Sequence, residues 1–291
     1  YAIAIGRTGV VGLQEQIAKT ALSLARGPGL EAGAFLHDGR YRLLEHVANG
    51  PLAATWKAWD RLNERMVAVR VLHAQWAERS EAFLQRPRQA ASLDHPSIAP
   101  LRDPGGTEGG ITWFVRDWYP LGGLDQAVDA KQLGSLDALQ ATLDAADALV
   151  ALHTVEKVHG NLKPSNILIA DDLRGYLADF HAIEPRDPIF AAPEVQEVDY
   201  PSIGADVYSL AMCVLFALHG EALPFWVLRD PAKLVRDIRL PGGTLLPEGS
   251  RKALLAALDW RVEERTPTVQ AFLDAFFDDR PVLDALRENA I

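Results

Sequence analysis

Cysteine is almost absent from this sequence, and long apolar runs and an excess of basic residues are missing altogether. The single Cys213 excludes an internal disulfide and a zinc site built on cysteines. The longest apolar run, from Val207 to Leu218, is shorter than the ~20 residues that a membrane-spanning helix needs. A net charge of −10 disfavours nucleic-acid binding, which requires a basic surface.

What is present indicates a globular protein. The 291 residues, 48% of them hydrophobic, suffice for one two-lobed domain or two small ones. The eight histidines show no paired spacing typical of a metal site. Because the chain begins at Tyr1 rather than Met, we expect it to be part of a longer protein. We expect a cytoplasmic location, either free or as the cytosolic domain of a membrane-associated protein, with any membrane contact through residues before Tyr1.

The stretch from Val158 to His181 organises the chain. It resembles the catalytic loop and magnesium loop of protein kinases, written H-R-D-L-K-P-x-N and D-F-G. Three positions depart from that pattern: Gly160 replaces the Arg, Asn161 replaces the catalytic Asp, and His181 replaces the Gly. The matching residues are His159, Leu162, Lys163, Pro164, Asn166, Asp179 and Phe180.

Three further motifs agree in order with this resemblance, which covers residues 40–280 or so. They are Ala192-Pro193-Glu194, Asp206 to Ala211, and Glu264 to Thr268. The opening Arg40-Tyr41-Arg42-Leu43-Leu44 resembles bacterial, especially actinobacterial, serine/threonine kinase domains. The resemblance implies an α+β, bilobed protein kinase-like fold. We expect a small antiparallel sheet with helix C over residues 40–118 and a mainly helical lobe over 119–291.

The same resemblance implies structural roles for five residues. Glu194 and Arg265 should form a buried ion pair, and Asp206 should bond to the backbone near His159. His159 and Phe180 are the other two residues with an implied structural role. Because all five residues match the family, we expect the contacts that stabilise the kinase fold to be retained.

The segment before the resemblance, residues 1–39, forms an extension. Leu13, Ile17, Ala21 and Leu24 recur at helical spacing, and Gly27-Pro28-Gly29 follows. We predict an amphipathic helix from about residue 12 to 26. Either it packs on the kinase-like domain or frays, or it binds a partner or lies close to a membrane.

The nucleotide side departs from the family at several positions. In the loop where kinases carry G-x-G-x-x-G-x-V only Gly50 remains, and Pro51 removes a backbone donor. Arg70 replaces the phosphate-binding Lys, although Ala68, which packs on adenine in the family, is retained. Arg86 stands at the position of the helix-C Glu, so that two like charges would face each other.

Two more positions on this side carry predictions. Pro87 predicts that helix C begins near residue 87 or kinks there. Arg116 falls at the gatekeeper position. Either Arg70, Arg86 and Arg116 all approach the pocket and one of them bridges to Asp179, or Arg116 points outward to surface carboxylates.

The activation segment, from Asp179 to Glu194, contains no Ser, Thr or Tyr. Phosphorylation therefore cannot order it, and Gly160 removes the Arg that would bind such a phosphate.

These departures led to the expectation that the chain is not an enzyme but a pseudokinase that acts as a signalling scaffold and binds another protein. The vestigial nucleotide site would contain Asp179, Asn166, Lys163, Ala68, Leu168 and Gly50. Asp179 and Asn166 are the possible magnesium ligands, and no cofactor, or at most weakly bound ATP and magnesium, is expected. One alternative is a residual ATP- and magnesium-dependent phosphotransferase using Asp179, Asn166 and Lys163; another is a small-molecule sensor.

Overall fold

The computed structural model describes residues 30–180, 186–198, 201–278 and 281–289. The chain divides into two compact units. Unit 1 comprises Tyr1–Gln85 and Leu101–Trp118, and unit 2 comprises Arg86–Pro100 and Tyr119–Ile291. The predicted helix at 12–26 and His181 lie outside the described residues. Among the described residues, no helix combines the length and hydropathy needed to cross a membrane.

Unit 1 is built on an antiparallel sheet of six strands in the order β1-β2-β3-β4-β6-β5. Along β4, Val67, Val69 and Val71 point to the buried core, where they meet Tyr41 and Trp113. Alternate residues of the same strand face the opposite side, as the period of two requires. The strands are β1 (Phe35–Leu36), β2 (Tyr41–Asn49), β3 (Ala53–Asp60), β4 (Arg65–Leu72), β5 (Leu101–Glu108) and β6 (Ile111–Asp117).

Of the two alternatives predicted at Pro87, a start of helix C near residue 87 is wrong, and a kink there stays a prediction. Helix α1 runs from Ser80 to Ala91 and carries Pro87 inside it. Its first half is held by tertiary contacts: the Phe83 ring lies 5.0 Å from that of Phe114 on β6, and Ser80 Oγ lies 3.0 Å from Thr112 Oγ1. Packing of this kind outweighs the local cost of a proline.

Unit 2 is mainly helical, and its core surrounds α3 and α5. All residues of α5 from Ala205 to Leu218 are buried. Ser202 caps its N-terminus by accepting from Ala205 N, and Gly220 ends it at φ +74°. The described helices are α2 (Leu124–Asp129), α3 (Ser135–Thr154), α4 (Pro193–Val198), α5 (Ile203–His219), α6 (Pro231–Asp237), α7 (Glu248–Ala257), α8 (Val269–Phe277) and α9 (Pro281–Asn289).

Two short strands, β7 (Ile167–Ile169) and β8 (Gly175–Leu177), form a hairpin after the predicted catalytic loop. Leu177 N donates to Ser97 O, and Ala178 N donates to Asn166 O. The hairpin therefore sets the spacing between the two loops that carry Asn166 and Asp179. The expected fold, an antiparallel sheet with helix C and a mainly helical second region, is confirmed.

Candidate functional site

The loop from His159 to Asn166 is fixed by one buried carboxylate of α5. Asp206 accepts hydrogen bonds from His159 N at 2.7 Å and from Gly160 N at 2.8 Å. Its Oδ2 also lies 3.0 Å from His153 Nε2. The predicted bond from Asp206 to the backbone near His159 is therefore present. Because Asp206 is 1% exposed, these contacts are largely shielded from water.

His159 connects this loop to the segment that carries Asp179. Its Nε2 donates to Ala178 O at 3.0 Å, and its Nδ1 accepts from Asn161 N at 3.2 Å. This pattern requires a neutral imidazole with the proton on Nε2. Burial is the main reason that the pKa of His159 is lowered, which agrees with the neutral form. The Phe180 ring lies 5.0 Å from the imidazole and closes this contact.

Asn161 occupies the position of the catalytic Asp and is 5% exposed. Its backbone is well held, because its carbonyl also accepts from Asn166 Nδ2 at 2.8 Å. Its side-chain Nδ2 is buried and has no hydrogen-bond partner among the described residues. A carboxylate oxygen at that position would not leave a donor unsatisfied, so the loop's geometry suits an acidic side chain better than an amide.

The two predicted magnesium ligands are oxygen donors of the right kind. Asn166 uses its Nδ2 on the backbone of Asn161, which leaves its Oδ1 to accept or to bind a metal. Asp179 has a left-handed backbone with φ +57°, an unusual conformation for a residue other than Gly. The described residues contain no group of three or more His, Cys, Asp or Glu that could hold a metal without further ligands. A metal here would need oxygens from a nucleotide or water as well.

A small pocket opens beside Asn161. Its walls include Asn161 and Lys163 from the loop, Arg186, Asp187 and Ala192 from the activation segment, and Val195 just after it. The pocket therefore combines donors with a small apolar wall, within reach of the position where the family holds its catalytic base.

In the sheet of unit 1, the side chain of Arg70 on β4 is hydrogen-bonded to the neighbouring strand β3. Its Nη1 donates to Thr55 Oγ1 at 2.8 Å, and both residues are 8% exposed. Ala68 pairs with Arg116 across β4 and β6, so that both lie on the face that also carries Arg70. Arg116 is buried, which rules out the outward-pointing alternative. Arg86 lies in α1 and is partly exposed.

The loop around Gly50, which would cover the phosphates, is held by hydrogen bonds to residues of its own unit. Gly50 N donates to Ala53 O at 3.1 Å, and Gly50 O lies 2.8 Å from His73 Nε2. Trp76 Nε1 donates to Pro51 O at 3.0 Å. The N–H group of Gly50 is therefore used within the loop, and this part fits a phosphate poorly. No pattern in the sequence indicates the hydrogen bonds from His73 and Trp76 to this loop.

The predicted ion pair of unit 2 is present. Arg265 contacts both carboxylate oxygens of Glu194, at 2.8 Å and 3.0 Å, and also donates to Gly204 O. Burial raises the pKa of Glu194, but the hydrogen bonds from Arg265 and from its own backbone N–H outweigh burial and lower it. The pair ties α4 to the segment that precedes α8. Leu168, also predicted for the site, is buried in β7.

The arrangement of these parts defines a class of protein. A strand-rich unit bears Ala68 and Arg70, and a helical unit bears a His-x-Asn loop, an Asp-Phe pair and an Ala-Pro-Glu helix tied to an arginine. This is the construction of a protein kinase domain. The kinase domain of PknI from Mycobacterium tuberculosis superposes with a TM-score of 0.63 at 21% identity, covering 86% of this chain and 99% of that one.

Sequence comparison places the chain within that class. A sequence model of the family described as protein tyrosine and serine/threonine kinase matches residues 43–239, so the chain belongs to this family. The serine/threonine-protein kinase PksC of Streptomyces coelicolor is 28% identical over 85% of this chain and 50% of its own length. PknA of Mycobacterium tuberculosis is 31% identical over 63% of this chain and 48% of its own length. The chain thus spans half or less of these relatives.

These findings correct one expectation. The sequence departures at Asn161, Arg70, Arg86 and Gly160 led us to expect a protein that is not an enzyme. The matched family and the relatives named as serine/threonine-protein kinases point instead to an enzyme. Removing a general base lowers a rate without abolishing it, so these departures are compatible with an enzyme.

Proposed function

We propose that this domain is an atypical ATP- and magnesium-dependent protein phosphotransferase whose transfer is slow because Asn161 stands in place of the catalytic Asp. The observation that carries the proposal is the state of Asn161. Its backbone is held as a working loop requires, while its buried Nδ2 finds no acceptor among the described residues. On this proposal, the sequence departures that led to the pseudokinase interpretation lower the rate of phosphoryl transfer without abolishing it.

The chemistry that remains is orientation and charge stabilisation. In the family, transfer depends mainly on positioning and electrostatics, since the transition state is loose. Asn161 Oδ1 can accept a hydrogen bond from a hydroxyl and orient it, but a neutral amide cannot take its proton. Lys163 lines the same pocket and supplies a positive charge near the transferred group. Loss of the base alone should lower the rate by about 10²–10⁴-fold.

Taken separately, the residues of unit 2 suit magnesium better than the residues of unit 1 suit the phosphates of ATP. Asn166 Oδ1 and the carboxylate of Asp179 would hold the metal, which when bound would neutralise charge on the phosphates. The loop around Gly50 and the guanidinium of Arg70 bound to Thr55 leave fewer donors for the phosphates. We therefore infer weak nucleotide binding that depends on the metal.

The test is a restored carboxylate. Asn161→Asp should raise transfer of the labelled γ-phosphate from ATP to a mixture of Ser- and Thr-containing peptides by at least about 10²-fold. The wild-type chain should transfer label above the level of Asp179→Ala, which removes a proposed metal ligand. Both rates are measured as label incorporated per folded molecule.

The matched control is Asn289→Asp, which makes the same chemical change at an exposed position of unit 2. It should leave the rate of transfer unchanged. If the wild type, Asn161→Asp and Asp179→Ala all incorporate the same background label, the proposed transferase activity is refuted.

A second role, binding of a partner protein, has its own support. In unit 2 the side chains of Phe225 and Trp260 are 68% and 73% exposed, and exposed aromatic side chains are frequent at protein interfaces. The acidic chain makes a protein a better partner than nucleic acid.

Trp260→Ala should remove a partner in quantitative co-purification. Leu62→Ala, a change at a similarly exposed apolar side chain of unit 1, should retain it. Retention of the same partners by both variants would contradict this role.

A further inference from the structure

The peptide group between Gly160 and Asn161 is held at both of its polar atoms. Its carbonyl, on Gly160, accepts from Arg186 Nε at 3.0 Å. Its N–H, on Asn161, donates to His159 Nδ1 at 3.2 Å. Because a peptide group is planar, these two bonds together set its orientation. The residue at the catalytic-base position is therefore aimed partly by an arginine of the activation segment.

Gly160 makes this contact possible. Its φ of +74° lies in the left-handed region, where a side chain would be strained. Its N–H donates to Asp206 Oδ1 at 2.8 Å while its carbonyl receives Arg186. Kinases of the H-R-D type carry an arginine at this position that can bind a phosphate on the activation segment. Here the arginine is on the segment, and the loop offers a backbone carbonyl.

The part of the segment after Arg186 is itself anchored. Asp187 Oδ1 accepts from Ile189 N at 2.9 Å, and Asp187 O accepts from Ala191 N at 2.9 Å. The buried Phe190 packs on Phe216 of α5 with ring centroids 6.2 Å apart. Arg186 therefore extends from a fixed turn toward the loop, and it reaches a carbonyl that is also fixed.

We propose that Arg186 is a positioning residue that links the activation segment to the catalytic loop without phosphorylation, by holding the Gly160–Asn161 peptide. The absence of Ser, Thr and Tyr from residues 179–194 means that no phosphate on a hydroxyl could do so. The effect on catalysis rests on the proposed transferase function, whereas the effect on the loop rests on the contacts alone.

The experiment uses the full chain with Arg186→Gln and Arg186→Lys. Arg186→Gln should speed hydrogen exchange of the Asn161 amide by about fivefold, the factor expected for the loss of one ordinary hydrogen bond. It should lower kcat by a similar factor and leave KM for ATP unchanged, because the nucleotide is not contacted. Arg186→Lys should recover part of both effects, since its ammonium keeps a donor on a flexible stem.

The matched control is Arg239→Gln, which removes another side chain-to-carbonyl bond of unit 2, from Arg239 Nη1 to Gly243 O, at an exposed turn. It should leave Asn161 exchange and kcat unchanged. Wild-type exchange in Arg186→Gln overturns the inference, and so does faster exchange with a wild-type kcat. If the wild type itself transfers no label, the proposed function fails, and amide exchange alone then decides whether Arg186 holds the loop.

Discussion

Among the described residues, Asp60 of unit 1 and Asp206 of unit 2 are each only 1% exposed, and they stabilise different parts of the chain. In unit 1, Asp60 accepts from Arg40 through both carboxylate oxygens, at 3.1 Å and 3.0 Å, and from Asn63 Nδ2 at 2.7 Å. In unit 2, Asp206 accepts from His159 N and Gly160 N. The first stabilises a turn between two strands. The second stabilises the loop in which the chemistry is proposed to occur.

This difference explains where the chain departs from the kinase pattern. Thr55, the partner of Arg70, lies five residues along β3 from Asp60, which corresponds to about 16 Å of extended strand. Residues at the nucleotide end of unit 1 can therefore differ without touching the support at the other end. In unit 2, Asp206 stabilises the backbone of the same loop that carries Asn161. In the described part of this loop, only Gly160 and Asn161 depart from the kinase pattern.

The largest effect expected is that of Asp206→Ala. Removal of this buried acceptor leaves two backbone N–H groups without their partner and should lower the free energy of unfolding by about 3–5 kcal/mol. Transfer by the folded fraction should also fall, because the loop loses its anchor. Urea denaturation followed by tryptophan fluorescence measures the first effect, and label incorporation measures the second. Asp274→Ala, at an exposed position of α8, is the control and should change neither.

Asp60→Ala should separate stability from activity. The loss of the contacts to Arg40 and Asn63 should lower the free energy of unfolding by about 2 kcal/mol, since the partly exposed guanidinium of Arg40 loses its acceptors on Asp60 and keeps only Asp103. Transfer per folded molecule should stay at the wild-type value. If Asp60→Ala lowered transfer per folded molecule as strongly as Asp206→Ala, the proposed independence of the two ends of the sheet would be wrong.

Contacts whose two partners both lie in recognisable motifs could be predicted from the sequence. The Glu194–Arg265 pair and the bonds of Asp206 were predictable, because in-register motifs fix both partners of each contact. The strands that contain Tyr41 and Val69 were also predictable, the second from its resemblance to the V-A-I-K strand of kinases.

Contacts that depend on how distant elements meet could not be predicted. The start of α1 at Ser80 rests on Phe83 packing against Phe114, which no local pattern encodes. The bond from Arg186 to Gly160 depends on a left-handed φ that turns a carbonyl toward the segment. The one signal that could have revealed the Arg70 contact is Thr55, a hydroxyl where kinases carry Val.

On the nucleotide side, Arg70→Lys should raise affinity for magnesium–ATP by about tenfold, or about 1.4 kcal/mol. Lysine carries a compact ammonium on a flexible stem, which can leave the single bond that Arg70 Nη1 donates to Thr55 Oγ1 and bind phosphate instead. Isothermal titration measures the affinity. Arg42→Lys, an exposed position of the same sheet, is the control and should leave it unchanged. An unchanged or weaker affinity in Arg70→Lys would show that the contact with Thr55 does not limit nucleotide binding.

The smallest effect expected concerns Glu194 and depends on pH. Because the pKa of Glu194 is lowered below its ordinary 4.5 in the folded chain, its contribution is complete above pH 4.5 and is lost as the pH falls through the folded pKa. The difference in unfolding free energy between wild type and Glu194→Gln should therefore be about 1 kcal/mol at pH 7, since the carboxylate is partly screened by solvent. It should stay constant down to about pH 5 and shrink below the ordinary pKa.

Glu248→Gln provides the control for this pH series. Its partner Lys252 lies one turn away at a fully solvated position, so its removal should leave the unfolding curve unchanged throughout. A Glu194→Gln difference that grew as the pH fell would mean that the pKa of Glu194 is raised in the folded chain. Arg265 would then stabilise unit 2 through its bonds to Gly204 O and Asp259 O rather than through the carboxylate.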